Sequence, residues 1–177
     1  MIVMRSYIVA TVLFAVVVAS IFGYMREIIW FQNTINRGDM LLKLAAFGAA
    51  FGLLLGVVLK LLWQKKDTVE VIQLFAGCIF FTALLMPLLG SLYNRTFAED
   101  VVNQEVTFVS EKAYYKSVGR MKGQEMPANG YYIRFLRDSD TIRVEVKSPK
   151  YPNKTAGETI LMPTKKGALG YEVVMIE

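Results

Sequence analysis

The sequence predicts an integral membrane protein of the α+β class, with three transmembrane helices followed by a small extramembrane antiparallel β domain. Three observations indicate this fold. The 177 residues are 54% hydrophobic, and their mean hydropathy of +0.39 exceeds that of an ordinary soluble domain. Three apolar runs before residue 95 are long enough to cross about 30 Å of hydrocarbon. Beyond residue 95, short stretches alternate apolar and polar side chains as β-strands do.

The apolar runs place the helices at about residues 6–24, 41–63 and 69–93, within a first domain of residues 1–95. The first run resembles a signal peptide, but no small-residue cleavage site follows it, so we expect it to be retained. Residues 25–40 then have two equally favoured interpretations. They form an amphipathic helix in the membrane interface, or they extend the first helix and loop at 36–39, where Asp39 could cap the second helix.

Only residues 64–68 link the second and third apolar runs, so these two helices are expected to form an antiparallel hairpin. Asp67 or Thr68 can then cap the third helix. Pro87 lacks a backbone donor and is expected to kink or end the third helix near its exit from the membrane.

A stripe of small residues on the second helix predicts close helix packing. Glycine recurs at every fourth position in Gly48, Gly52 and Gly56, and Ala45 and Ala49 lie beside it. Each interior glycine costs about 0.5–1 kcal/mol relative to alanine, so three in register indicate contact with another backbone. The third helix has too few small residues for a matching stripe. We therefore expect the opposing helix to belong to a partner.

Residues 96–177 predict four or five strands in a sandwich or open barrel. The clearest signal is a hairpin in which residues 131–137 and 141–147 flank turn residues 138–140. In its second arm Ile142, Val144 and Val146 alternate with charged residues, so one face should be buried. Other strands are expected at 106–109, continuing to 114–115, and at 158–162 and 171–176. A loop is expected at 119–130, and Pro163 and a turn at 165–167 are expected to join the last two strands.

The composition argues against an enzyme. Histidine, the commonest general base and a common zinc ligand, is absent, and the single Cys78 has no partner for a disulfide or thiolate cluster. The carboxylates of Asp138 and Asp140 are better explained by a turn than by facing walls of a cleft. We therefore expect no catalytic site, no cofactor and no metal. The net charge of +5 is not gathered into a basic stripe, so nucleic acid is not an expected partner.

Basic residues near the helix ends predict the orientation in the membrane. Lys65 and Lys66 lie in a very short hairpin close to Lys60, where positive residues most reliably mark the cytoplasmic side. The N-terminus and the 64–68 hairpin are therefore expected in the cytoplasm and residues 94–177 outside it. A bacterial inner membrane is the expected location.

Two function hypotheses follow from these features. The first is a non-catalytic accessory subunit of a larger membrane complex, packed in the bilayer through its striped helix and docking other subunits with its β domain. Here a hetero-complex is favoured over a homo-oligomer. The second is a self-associating membrane protein whose extracytoplasmic β domain binds a peptide, lipid or glycan. The side chains that could form its docking surface are Tyr114, Tyr115, Tyr131 and Tyr132.

Overall fold

The computed structural model describes residues 2–63, 67–115 and 128–176. It divides the chain into two compact units. The helical unit comprises Met1–Ile28 and Asn36–Asn94, and the β unit comprises Ile29–Ile35 and Arg95–Glu177. The expected boundary near residue 95 lies where the second unit resumes at Arg95. The sequence did not predict that the short segment Ile29–Ile35 also belongs to the β unit.

The described residues contain three long helices, α1 (Ile2–Gln32), α2 (Arg37–Trp63) and α3 (Thr68–Thr96). By length and composition each can cross a membrane, α1 over Phe14–Gln32. Leu42, Leu61 and Phe80 are 71%, 72% and 71% exposed. A surface of such side chains suits lipid far better than water. The prediction of three long apolar helices ahead of an antiparallel sheet is confirmed.

The connection between α1 and α2 differs from its predicted position. α1 continues unbroken to Gln32, so the extended first helix is correct and the separate interfacial helix is wrong. The loop lies at residues 33–36 because α2 already begins at Arg37. Asn36 has a φ of 56°, in the left-handed region that asparagine tolerates. Asp39 therefore lies inside the first turn of α2 and pairs with Lys43 at 2.7 Å, so it is not the cap.

The start of α3 is as predicted, whereas its end is not. Asp67 Oδ1 accepts a hydrogen bond from the Val69 amide at 2.7 Å, which caps the helix. Pro87 lies inside α3, which runs on to Thr96, so Pro87 does not end the helix. A proline removes only one donor. The next residue, Leu88, is buried. Its side chain packs closely on Gly23 of α1, since a Cβ placed on Gly23 would lie 2.9 Å from Leu88 Cδ2. This packing holds the chain helical beyond the proline.

The glycine stripe of α2 packs against α3 of the same chain. A Cβ placed on Gly52 would lie 2.7 Å from Ile79 Cα, and one on Gly56 would lie 2.9 Å from the Phe75 ring. The Thr82 hydroxyl donates to the Gly48 carbonyl at 2.6 Å. The expectation that a partner's helix covers this surface is therefore wrong. A glycine stripe on α3 is not needed for this contact, because the α3 backbone approaches Gly48 and Gly52 directly and the Phe75 ring lies on Gly56.

The β unit contains one antiparallel sheet in its described part, so of the two predicted forms the sandwich is wrong and the open barrel is the one that the near-barrel sheet resembles. The spatial order of the strands is β3-β2-β1-β4-β5. The strands are β1 (Val102–Tyr114), β2 (Gly130–Arg137), β3 (Asp140–Val146), β4 (Thr159–Lys166) and β5 (Glu172–Val174). Most of the loop expected at 119–130 lies outside the described residues, and Gly130 already belongs to β2.

The predicted hairpin and its facing are confirmed. Val144 and Val146 are 1% and 3% exposed, whereas Arg143 and Lys147 face solvent. The turn is one residue shorter than expected, since Arg137 pairs with Asp140. Its two central residues, Asp138 and Ser139, have φ values of 47° and 73°. Positive φ at both positions is the requirement of a type I′ hairpin turn. The core it borders is formed by Val106, Phe108, Ile133, Phe135, Val144, Val146, Ile160, Met162 and Val174.

Strand β4 passes through Pro163 and ends only at Lys166, so the connection expected through Pro163 and a turn at 165–167 is wrong. The Pro163 carbonyl accepts a hydrogen bond from the Met175 amide at 2.8 Å, just past the end of β5. The nitrogen and the carbonyl of a strand residue point to the same side of the strand, so the nitrogen of Pro163 also points towards β5. Because β5 has ended at this level, the sheet loses no regular hydrogen bond there. The actual turn follows Lys166 and contains Gly170, with a φ of 83°.

Residues 33–35 bridge the two free edges of the sheet. The Asn33 side chain pairs with the backbone of Glu145 on β3, accepting from its amide at 2.8 Å and donating to its carbonyl at 3.0 Å. The Asn33 carbonyl accepts from the Val174 amide on β5 at 2.9 Å, and the Ile35 amide donates to the Glu172 carbonyl at 2.8 Å. The sheet is thereby curled into a near-barrel, with both edge strands covered.

An ion pair joins the ends of β2 and β5 on the core-facing side. The Arg137 guanidinium donates two hydrogen bonds to the Glu172 carboxylate, one of them at 3.1 Å, and the two side chains are 27% and 22% exposed. Gln104 donates a further bond to this carboxylate. The bonds from Arg137 lower the pKa of Glu172 below its ordinary 4.5. The stabilisation of the folded state by this ion pair is therefore present above pH 4.5, and it is lost as the pH falls through the lowered pKa of Glu172.

Gly52→Leu should destabilise the protein by about 1–3 kcal/mol, because the new side chain would overlap α3. Leu53→Ala is the matched control, since Leu53 is 48% exposed and its loss opens no cavity. Thermal unfolding and protease resistance of the purified full-length variants would measure the difference. Equal stability of the two variants would contradict the packing of the stripe against α3.

Candidate ligand pocket

A cavity of about 300 Å³ opens in the β unit beside the segment Ile29–Ile35. This volume lies at the lower end of the range of small-molecule sites. Its walls combine aliphatic and aromatic side chains with a few polar and charged groups. The lining residues are Ile29, Trp30, Asn33, Tyr114, Asn129, Glu145, Val146, Lys147 and Ile176.

Asn33 positions the charged wall of the pocket. It is only 2% exposed, and its amide fixes the backbone of Glu145. Glu145 lies in β3, and Lys147 directly follows the last residue of that strand. Because the two residues are two positions apart, their side chains project on the same face, opposite to the core that contains Val146. The pocket lining therefore includes a carboxylate and an ammonium group, on side chains about 7 Å apart along the strand.

Tyr114 also lines the pocket and is held by two contacts. Its hydroxyl donates a hydrogen bond to the Glu145 carboxylate. Its ring stacks on Tyr132, with centroids 4.5 Å apart and an interplanar angle of 22°, and Arg143 lies 4.7 Å over the Tyr132 ring. Gly130 leaves room for this arrangement, since a Cβ there would lie 2.7 Å from the Tyr114 ring.

The hydrogen bond from Tyr114 has an electrostatic consequence. The bond to Glu145, together with burial and the carboxylate charge, raises the pKa of Tyr114 to about 12. The phenol therefore stays protonated at neutral pH and acts as a fixed donor. It orients the Glu145 carboxylate within the pocket.

Trp30 supplies the aromatic surface on the helix side. It lies three residues from the end of α1, and its carbonyl accepts a hydrogen bond from the Thr34 hydroxyl at 2.7 Å. The Arg95 guanidinium lies 4.9 Å from the centroid of its ring, within cation–π range. These contacts hold the indole in place before any ligand arrives.

The four tyrosines expected to form a docking surface do not share one face. Tyr114 and Tyr132 stack together, whereas Tyr131 packs against the core and Tyr115 is 56% exposed after the end of β1. The pleat of the strand explains the separation, because successive residues point to opposite faces. Of the four, only Tyr114 lines the pocket.

The other pocket residues were missed in the sequence. Asn33 looks like an ordinary loop asparagine, and Glu145 and Lys147 look like the solvated face of a hairpin. The contact between Asn33 and Glu145 joins residues 112 positions apart. The only local signal was the alternation in β3, which placed Glu145 and Lys147 on one face.

The helical unit holds a second polar cluster that the sequence interpretation also missed. Glu27 is 2% exposed, and the Ser91 hydroxyl donates to its carboxylate at 2.9 Å. Ser91 and Asn94 are themselves buried at 3% and 1% exposed. A buried carboxylate needs a donor, and Ser91 supplies one from the last turns of α3.

Among the described residues, no group of three or more His, Cys, Asp and Glu side chains could hold a metal ion. Comparison with protein-family models, curated proteins and solved structures finds no match for the chain. The function is therefore inferred from the pocket itself.

The Tyr114 hydroxyl should titrate near pH 12, and Glu145→Gln should lower its pKa towards the ordinary 10.0. Because the folded pKa is the higher one, this contact stabilises the fold fully below pH 10 and is lost as the pH rises towards 12. Tyrosine-labelled carbon NMR of the full-length protein measures this, with Tyr114→Phe for assignment. Glu105→Gln, on an exposed strand position, should leave the titration unchanged. Titration of Tyr114 near 10 in the unaltered protein would contradict the contact.

Proposed function

We propose that this protein is a membrane-anchored, non-catalytic binding module whose extramembrane β domain holds a ligand in the pocket beside Trp30. The observation that carries the proposal is the cavity of about 300 Å³, in which apolar and aromatic walls surround Glu145 and Lys147. Pockets of this composition, with few polar groups fixed by other contacts, are typical of ligand sites. The proposal develops the second sequence hypothesis, and the self-association in that hypothesis stays a prediction.

The accessory-subunit hypothesis also stays a prediction, with less support than before. It relied on a glycine stripe available to a partner's helix, and Gly48, Gly52 and Gly56 instead contact α3 of the same chain. Other subunits of a membrane complex remain possible partners through the lipid-facing helices or the β domain. No contact among residues 2–63, 67–115 and 128–176 favours them over a small ligand.

The proposed location is a bacterial inner membrane with the β domain outside the cytoplasm. Lys60, Lys65 and Lys66 near one end of the α2–α3 hairpin support this orientation. Three spans then put the N-terminus and the 64–68 hairpin together on the cytoplasmic side.

The orientation predicts that a cysteine introduced as Ser139→Cys reacts with a membrane-impermeant maleimide in intact spheroplasts. Ser139 is exposed in the β2–β3 turn, and Cys78→Ala removes the only native thiol. Gel-shift detection of labelling before and after lysis measures the exposure. Labelling only after lysis would reverse the proposed orientation.

The binding function predicts that the protein, extracted from its own membrane in mild detergent, carries a stoichiometric small molecule. Asn129→Trp should expel it by filling the pocket, because Asn129 is exposed and lines the cavity. Asn103→Trp is the matched control at an exposed position of β1 outside the lining. Native mass spectrometry would detect the bound molecule. Its absence from the unaltered protein, or its retention in Asn129→Trp, would contradict the proposed function.

A further inference from the structure

We propose that the pocket binds the zwitterionic headgroup of a phospholipid, a phosphate linked to an ammonium group. The inference rests on the proposed binding function and names the ligand class of the same pocket. It depends on the charges of Glu145 and Lys147, on the aromatic side chains of the pocket, and on two lining residues that also belong to a candidate membrane span.

The ammonium group of the headgroup fits beside Glu145. An ionised carboxylate has about four acceptor positions, and the Tyr114 hydroxyl uses one of them, so acceptors remain for a ligand. The rings of Tyr114 and Trp30 line the same cavity. Aromatic faces next to a carboxylate are the usual surroundings of a bound ammonium or quaternary ammonium group.

The phosphate fits beside Lys147. Side chains two residues apart on a strand are separated by about 7 Å, since each residue advances about 3.3 Å. A headgroup with a short carbon link between its charges can therefore contact Glu145 and Lys147 together. Lys147 is exposed at the rim, where it can meet a phosphate without burying its own charge.

A membrane lipid is the favoured source of this headgroup because of where α1 ends. Ile29 and Trp30 line the pocket and also belong to the candidate membrane span Phe14–Gln32. A tryptophan in the last turn of a span lies at headgroup depth. The apolar side chains of Ile29 and Ile176 are then available to the less polar part of the lipid next to the phosphate.

Trp30 fluorescence provides the test. The chain has two tryptophans, so Trp63→Phe leaves Trp30 as the only one. The full-length protein in nanodiscs of phosphatidylglycerol would be titrated with dihexanoyl-phosphatidylethanolamine, dihexanoyl-phosphatidylglycerol and O-phosphoethanolamine. We expect a saturable response to the ethanolamine lipid, with a half-saturation about tenfold lower than for the glycerol lipid.

Variants separate the two charges. Glu145→Gln retains an acceptor for Tyr114 but removes the negative charge, so it should raise the half-saturation for the ethanolamine lipid about tenfold, to the level of the glycerol lipid. Lys147→Gln should weaken the binding of both lipids. Glu105→Gln and Lys112→Gln, at exposed positions of β1, are the matched controls and should change neither. Unchanged melting temperatures would show that each variant is folded.

Three outcomes decide the inference. A response to O-phosphoethanolamine at the same concentrations as the lipid supports the charge recognition and assigns the source to a free headgroup. Equal responses to the two lipids, or a response to the ethanolamine lipid that survives Glu145→Gln, overturn it. The inference is also overturned if the molecule displaced by Asn129→Trp is identified as a peptide or a glycan. In each of these overturning cases the binding function stands as long as Asn129→Trp still expels a molecule.

Discussion

The Asn33 side-chain amide serves as the missing neighbour of strand β3. Without it, the amide and carbonyl of Glu145 would lose these partners at the sheet edge, and each such hydrogen bond contributes about 0.5–1.5 kcal/mol. The Asn33 carbonyl simultaneously accepts from Val174 on the other edge strand. Only a side chain with both a donor and an acceptor can make the β3 contact, so alanine and aspartate are both inadequate substitutes. Asn33, just after the end of α1, thus contacts both edge strands of the five-stranded sheet.

The pocket depends on the same residue. Asn33 lines the cavity and fixes the backbone of Glu145, whose carboxylate is then oriented by Tyr114. Trp30, one helical turn before Asn33, completes the aromatic wall. The groups that would recognise a ligand are therefore held by contacts that also hold the fold. Such pre-organisation lowers the entropy lost when a ligand binds.

Local patterns in the sequence were sufficient for much of the fold. Hydropathy and length locate the three helices, and the alternation of Val144 and Val146 with charged residues gives the correct facing of β3. The failures at the glycine stripe, at Pro163 and at the pocket share a physical cause, since each depends on a distant part of the chain. The glycine stripe could not reveal that Thr82 and Phe75 would cover it, and Pro163 is tolerated in β4 only because β5 ends opposite it. The pocket was missed for the same reason, because its central contact joins Asn33 to Glu145.

Hydrogen exchange at the Glu145 amide tests the role of Asn33 most directly. In the full-length protein this amide should be protected, because it donates to Asn33 Oδ1 at 2.8 Å. Asn33→Ala removes the acceptor and should accelerate exchange at Glu145 by about tenfold or more, whereas Asn103→Ala on the exposed face of β1 should not. Protection of the Glu145 amide that is unchanged in Asn33→Ala would contradict the account that this side chain closes the sheet and builds the pocket.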